Sequence, residues 1–354
     1  MTSASPLKYF ARLLKWFIIG ILFVDLFSCL AILSMNYLVV GYAPEQKVRY
    51  DPYALFLDAD ATPRTVSSSR RSEKKSNFII WMFGGSTLLR GSDTGTNIPN
   101  LLSRIMNSDD PHYSFTITNF GVNSFNSLME TKYLQKALME EDPKPNLILF
   151  LDGANDVVWF GLHRDPYAHY GYNKVKGLVE SPQKCPLPFL TPYYVAFQAS
   201  FAMEIYHRLA FAASAIDSGS PGVKMMCEKS SQRYDYVNKM AEAHGAKFVL
   251  FWQPMLWVET CDLPSGLEDT EGGFIGSLIN RRGLRVVRQN MIVVYDALEG
   301  NLKLKPYFIG LRNVLCDREA PAYDPDGVHF TDLGKEKIAR RMSSILREQV
   351  SSAR

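Results

Sequence analysis

"NFIIWMFGGSTLLRG", residues 77–91, is the stretch on which the fold turns. Six apolar residues, Phe78 to Phe83, run without interruption into Gly84 and Gly85, and Ser86 follows at once. A near-continuous apolar run of strand length, rich in β-branched and aromatic residues, is how a strand buried on both faces reads. Gly-Gly-Ser after it is ordinary turn chemistry. The same three residues also suit a serine hydroxyl held at a strand end, where the backbone must bend sharply. The rest of the chain decides between these uses.

Four further runs have the same character: "FTITNFG" (115–121), "LILFLDG" (147–153), "KFVLFWQ" (247–253) and "MIVVYDA" (291–297). Helical patterns separate them, near 97–107, 125–140, 195–216, 230–244 and 270–288. A last helix follows Thr331, with Ile338, Met342 and Ile345 on one face. Alternating strands and helices predict an α/β, doubly wound sheet of five mainly parallel strands. Residues 157–194 break the rhythm. They are too long for an ordinary connection, are rich in aromatics and end Pro-rich, which predicts an insertion over the site or a satellite core under a long loop.

The 354 residues contain 47% hydrophobic and 21% charged residues, ordinary for a folded protein. A net charge of +3 gives no reason to expect nucleic acid. Lys8, Arg12 and Lys15, in a basic tail over 1–15, precede the apolar stretch 16–40. That stretch exceeds the about 20 residues needed to cross a bilayer, although Asp25 lies inside it. It is longer than the apolar core of a cleaved signal peptide and lacks a small-residue cleavage site after it. We therefore expect a transmembrane signal anchor. The flanking cations put the N-terminus in the cytoplasm and the rest of the chain in the periplasm or outside the cell. Residues 41–76, ending in "SSSRRSEKKS", read as a solvated linker. Residues 77–354 then form the outer domain. Cys29 belongs to the anchor. Cys185, Cys227, Cys261 and Cys316 fall where oxidation is permitted, and their spacing leaves all three pairings open. No CxxC or His-rich spacing suggests a metal site.

In an open parallel sheet, ligands bind beyond the carboxyl ends of the strands. Ser86 follows the first run, Gly121 ends the second, and Gly153, Asn155 and Asp156 follow the third. "DPDGVHFTDLG", with Asp326 and His329, lies after the fifth. Ser86 is a weak nucleophile until a base takes its proton. An imidazole, the side chain of His329, suits that task. Asp326, three residues earlier, can orient the imidazole within one loop. The N–H groups of Ser86 and Gly121 and the amide of Asn155 can form an oxyanion hole.

These blocks, "FGGST", "NFGVNS", "DGAND" and "DPDGVHFT", resemble those of the SGNH/GDSL hydrolase superfamily over residues 77–350. Gly85 stands where the name-giving motif has aspartate, and this variant is similar to a "GGST" branch. "FWQP" (251–254) is similar to a "QP" element of that branch. The resemblance implies a three-layer αβα, flavodoxin-like sheet and a serine hydrolase acting on carboxylic esters. It implies no cofactor and no metal. It assigns Ser86, Asp326 and His329 as the catalytic triad, and Ser86, Gly121 and Asn155 as the oxyanion hole. Asp324 and Asp332 also lie near His329, but only Asp326 matches the spacing.

Together these readings predict a membrane-anchored serine esterase removing O-acyl groups, above all acetyl, from an envelope glycan or a lipid. Trp159 and Tyr170 of the insertion are the candidate substrate-binding residues, by stacking on sugar rings or lining an acyl groove. A glycan O-acyltransferase using the same triad is the enzymatic alternative. A catalytically inert assembly or binding protein on the same fold is the non-enzymatic one.

Overall fold

The apolar runs become the centre of a parallel sheet. In the computed structural model, which describes residues 6–40, 48–59, 63–67, 75–91, 94–109, 112–185, 187–262, 267, 271 and 285–351, the chain divides into two compact units. One comprises Met1–Pro44 and Gly171–Ala213, the other Glu45–Tyr170 and Ser214–Arg354.

The second unit begins with a hairpin of Val48–Asp51 (β1) and Leu55–Asp58 (β2), followed by Arg64–Ser67 (β3). Then come the predicted strands Ser76–Gly84 (β4), Tyr113–Asn119 (β5), Leu147–Asp152 (β6) and Lys247–Trp252 (β7), and a short fifth parallel strand, Phe308–Gly310 (β8). The six-stranded sheet has the order β3-β5-β4-β6-β7-β8, with only β3 antiparallel to its neighbour. Its five parallel strands thus follow the flavodoxin-like order 2-1-3-4-5. The β6 strand is buried at every position and β7 at all but its first, which is why both read as unbroken apolar runs.

Two expectations are corrected here. "MIVVYDA" is not a strand: it lies inside a helix, Arg285–Leu302. Met291, Val294, Tyr295, Leu298 and Leu302 are buried at helical spacing, while Asp296 is exposed. A short apolar run fits either period, and the surrounding residues extend the helical one. The stretch 41–76 is not wholly a tether: β1 and β2 pair with each other, and β3 pairs with β5 in register from Arg64 opposite Asn119 to Ser67 opposite Thr116. Backbone hydrogen bonds suffice for an edge strand, so no apolar alternation marked β3 in advance. Most of "SSSRRSEKKS" and most of the helix expected near 270–288 lie outside the described residues.

The helices of this unit, in chain order with the segment's other helices, are Ile98–Asp109 (α2), Ser127–Glu140 (α3), Ala154–His163 (α4), Pro221–Ala243 (α8), Arg285–Leu302 (α9) and Asp332–Ser351 (α10). Asn126 caps α3 by accepting from Met129 N, and Ser220 caps α8 by accepting from Val223 N. Arg164 ends α4 in the left-handed conformation.

The other unit contains the long helix Pro6–Val40 (α1), then Tyr172–Lys184 (α5), Thr191–Gln198 (α6) and Phe201–Ala213 (α7). The helix α1 packs on α7, and α5 packs on α6. Within α1, Lys8–Ser34 is long and apolar enough to cross a membrane, with a mean hydropathy of 2.5, and only 11% of it is buried. The predicted insertion 157–194 is therefore divided: residues up to Tyr170 belong with the sheet, and those from Gly171 belong with α1.

Candidate active site

The sheet places the candidate residues at its carboxyl edge, next to β4, where the strand order reverses. Gly84 ends β4, and Ser86 opens a single 3-10 turn, Ser86–Leu88. No side chain fits at Gly84 without displacing Leu88, since an added Cβ would lie 2.7 Å from Leu88 Cδ1. The sharp bend is thus built into the sequence by close packing.

Ser86 Oγ lies 2.6 Å from His329 Nε2, across 243 residues of chain. His329 Nδ1 lies 2.6 Å from Asp326 Oδ2. With the ring proton on Nδ1 donated to the carboxylate, Nε2 is left to accept from the serine hydroxyl. Asp326 is itself held: its Oδ1 accepts from the N–H groups of Val328 and His329, both at 2.9 Å. Burial alone would raise the Asp326 pKa. The hydrogen bond and charge of His329 and the two backbone N–H groups outweigh it and hold the carboxyl below the usual range.

The loop around Asp326 and His329 is a tight turn. Gly327 N donates to Asp324 O, and Gly327 is left-handed at φ +68°. A Cβ there would meet the Trp257 ring at 2.5 Å. Trp257 Nε1 donates to Asp326 O, and Leu256 N donates to Gly327 O. The turn is therefore pinned to the segment that follows β7.

Three groups absent from the sequence-based assignment hold the Ser86–His329–Asp326 chain. Gln253, from "FWQP", is buried: Thr87 Oγ1 donates to its Oε1 at 3.3 Å, and its Nε2 donates to Val328 O at 3.0 Å. It bridges Thr87, the residue after Ser86, to Val328, the residue before His329. Arg90 binds Asp324 at 2.6 Å and lies 3.6 Å from Asp326 Oδ2. Trp257 seats the turn. Only Gln253 carried a sequence signal, its place at a strand end.

The residues expected to form an oxyanion hole are less uniform. Ser86 N–H sits at the first position of its turn, where no partner within the turn exists. Asn155 Nδ2 donates to Phe125 O, which leaves its second N–H. A Cβ on Gly85 would lie 2.4 Å from Asn155 Nδ2, so glycine at this position is what lets the amide reach the serine turn. Gly121 departs from expectation: its N–H donates to Asn119 Oδ1 at 2.8 Å. Asn119, at the end of β5, folds back to hold Gly121 N and also donates to Leu88 O. The close approach expected at Gly121 is present, since an added Cβ would lie 2.8 Å from Leu88 Cβ.

Trp159 and Tyr170 meet one another edge-on, with ring centroids 6.1 Å apart. Trp159 Nε1 donates to Ser124 O, one residue before the carbonyl that Asn155 holds. Tyr170 also packs on Phe56, and 37% of it is exposed.

Behind Asn155 lie three buried carboxyls, Glu130, Asp152 and Asp156, with Arg233. Asp156 accepts from Ser127 N and Ser127 Oγ, and Arg233 Nη1 donates to Ser127 Oγ. Tyr234 OH donates to Asp152 Oδ2. Burial, then the charge of Asp152, raises Glu130 well above the ordinary range. Burial, with the neighbouring Asp156 charge, pushes Asp152 up to about 7 despite the hydrogen bonds it receives. Cys261 and Cys316 form a disulfide, whereas Cys29, Cys185 and Cys227 are free thiols.

No family model matches the chain, and no curated protein matches it. Among solved structures, it is similar to the acetyl xylan esterase AlAXEase at 15% identity, covering 76% of this chain and 99% of that one with a TM-score of 0.37. It is similar to the acetylxylan esterase Axe2 from Geobacillus stearothermophilus at 14% identity, covering 78% and 96%, TM-score 0.38. It is also similar to a GDSL-like lipase from Bacteroides thetaiotaomicron VPI-5482 at 13% identity, covering 78% and 89%, TM-score 0.36.

Proposed function

We propose that this chain is a membrane-anchored serine esterase that removes O-acyl groups, above all acetyl, from a glycan of the cell envelope through an acyl-enzyme. The observation that carries the reading is the hydrogen-bonded chain Ser86–His329–Asp326, with both links at 2.6 Å. His329 takes the hydroxyl proton as Ser86 Oγ attacks the ester carbonyl. Asp326 stabilises the resulting imidazolium and keeps its ring oriented. The developing oxyanion is held by Ser86 N–H and the second N–H of Asn155, and each such donor contributes about 3 kcal/mol in the transition state. His329 then gives its proton to the departing alcohol oxygen. Water, activated by the same imidazole, releases the acid and restores Ser86.

The glycan reading is supported by two aromatic side chains: Trp159, which donates to the loop that holds Asn155, and Tyr170, which meets Trp159 edge-on. The anchor reading is supported by the apolar, mostly exposed Lys8–Ser34 segment. Lys8, Arg12 and Lys15, which precede the apolar stretch 16–40, orient it, and a disulfide at Cys261–Cys316 suits an oxidising compartment.

The test of the chemistry is covalent labelling. The full chain should react with a fluorophosphonate probe at Ser86 and release nitrophenol from p-nitrophenyl acetate. Ser86→Ala should do neither. Equal labelling of the two proteins would reject Ser86 as the nucleophile.

A further inference from the structure

Residues 172–213 carry apolar side chains that their own unit leaves uncovered. Phe189 is 71% exposed, Tyr193 74%, Tyr206 62% and Leu209 63%. In α5 only Ser181 is buried, and α6 buries nothing. Helices of this kind have no stable place in water. The same unit contains α1, and two observations tie the segment to it.

First, α1 packs on α7, and among its described side chains Asp25, Ser28, Cys29 and Ile32 are buried or half-buried at helical spacing, with Ala31 half-buried beside them and the others exposed. Second, Asp25 Oδ1 accepts from Ala202 N at 3.1 Å, in the first turn of α7. A carboxylate inside an apolar span needs such a partner, and the first N–H groups of a helix have none within it. Asp25 lies nine residues before Ser34. At about 1.5 Å per residue that is about 13 Å from the end of the span. If the hydrocarbon core, about 30 Å thick, is centred on the apolar stretch 16–40, Asp25, three residues from its middle, and the start of α7 lie roughly 10 Å inside it.

We infer that residues 172–213 are a second membrane-seated element, whose occupant is the lipid bilayer and whose attachment is Asp25 of α1 capping α7. The inference rests on the reading of α1 as a span and goes beyond the proposed esterase chemistry. The polar groups fit the placement. Lys174, Lys176 and Lys184 of α5 outnumber its Glu180, which suits anionic headgroups. Lys174 lies over the Phe201 ring and Lys176 over the Tyr172 ring, so their stems cover aromatic surface while their charges remain available to the interface. Tyr193 and Tyr194 on α6 are the residue type found at headgroup level. On this reading the segment that began as an expected cover for the site holds the enzyme down on the membrane instead.

The test uses the full chain in nanodiscs containing phospholipid with an alkyne in the acyl tail. A p-benzoylphenylalanine photocrosslinker is placed in turn at Phe23 of α1, Phe197 of α6, Tyr206 of α7 and Tyr236, an exposed position on α8 of the other unit. Lipid adducts are expected at 23, 197 and 206 within about threefold of one another, and at less than a tenth of that yield at 236. Adduct at 23 with 197 and 206 no higher than 236 overturns the inference and leaves the anchor standing. No adduct at 23 removes the span and the inference together. With the crosslinker at 206, Asp25→Leu should lower the adduct at least threefold, and Asp25→Asn, which keeps an acceptor oxygen, should not. An unchanged yield in Asp25→Leu overturns the capping role.

Discussion

Replacing Asp326 by asparagine isolates the orienting carboxylate. Two backbone N–H groups, from Val328 and His329, converge on Oδ1 at 2.9 Å each. Asparagine must therefore keep its oxygen there, because the flipped amide would face both donors with a third donor. Its NH2 then takes the place of Oδ2, 2.6 Å from His329 Nδ1. That contact survives only if Nδ1 becomes an acceptor, which moves the ring proton to Nε2. Nε2 faces Ser86 Oγ at 2.6 Å and would then donate to it rather than accept its proton. The expected loss is about 10⁴ in kcat, the cost of locking an imidazole base in the wrong tautomer. It corresponds to about 5.4 kcal/mol of barrier. The assay is turnover of p-nitrophenyl acetate together with the rate of fluorophosphonate labelling, and both should fall in step in a variant that circular dichroism shows to be folded. Asp324→Asn is the control. Asp324 is held by Arg90 and touches neither ring nitrogen in the described contacts, so less than a tenfold loss is expected. Asp326→Asn within tenfold of wild type, or Asp324→Asn as damaged as Asp326→Asn, would refute the assignment of the base's partner.

Gln253→Leu should lower kcat about 10- to 100-fold with little change in KM: it unties Thr87 from Val328, and a misplacement of about 1 Å at the reacting groups costs on the order of 10². The unpaired Val328 carbonyl should also lower stability by about 1–3 kcal/mol in urea unfolding; full turnover in a destabilised variant would make Gln253 structural only. For pH dependence, Glu130 and Asp152 have folded pKa values above their unfolded ones, Asp152 at about 7, so the native state holds protons that the unfolded chain has released. Stability should then fall as pH rises from 5 to 8. Asp326, shifted down, contributes stability above the ordinary carboxylate range and loses it only under acid, outside that window. Glu130→Gln should flatten the decline of the urea midpoint between pH 5 and 8, and an equally steep decline would show that Glu130 does not hold a proton there.

The strands β4 to β7 and the serine at the end of β4 were legible in the sequence. A strand covered on both faces has no polar alternation to obscure it, and glycines mark where its backbone must bend. The grouping of Asp326 with His329 was legible too, since three residues of one loop suffice to join them. The helix at 285–302 was not, because the seven residues that suggested a strand, six of them apolar, contain a helical stripe that only its packing neighbours reveal. Nor was β3, whose four residues are joined to β5 through backbone groups that every sequence possesses.

Other features were decided by tertiary structure alone. Ser86 and His329 meet across 243 residues, a distance set by the order of five parallel strands and not by any local pattern. Asn119 turns its side chain onto Gly121 N–H, a redirection that the motif "NFGVNS" does not encode by itself. Of the pairings open to four cysteines, Cys261–Cys316 forms because the chain brings those two segments together beside Glu259, and Cys185 and Cys227 are free thiols. The chain from Gly171 onward looked continuous with the loop after Asn155, yet it folds with α1. Local sequence reports which face of an element must be covered; only the complete fold determines what covers it.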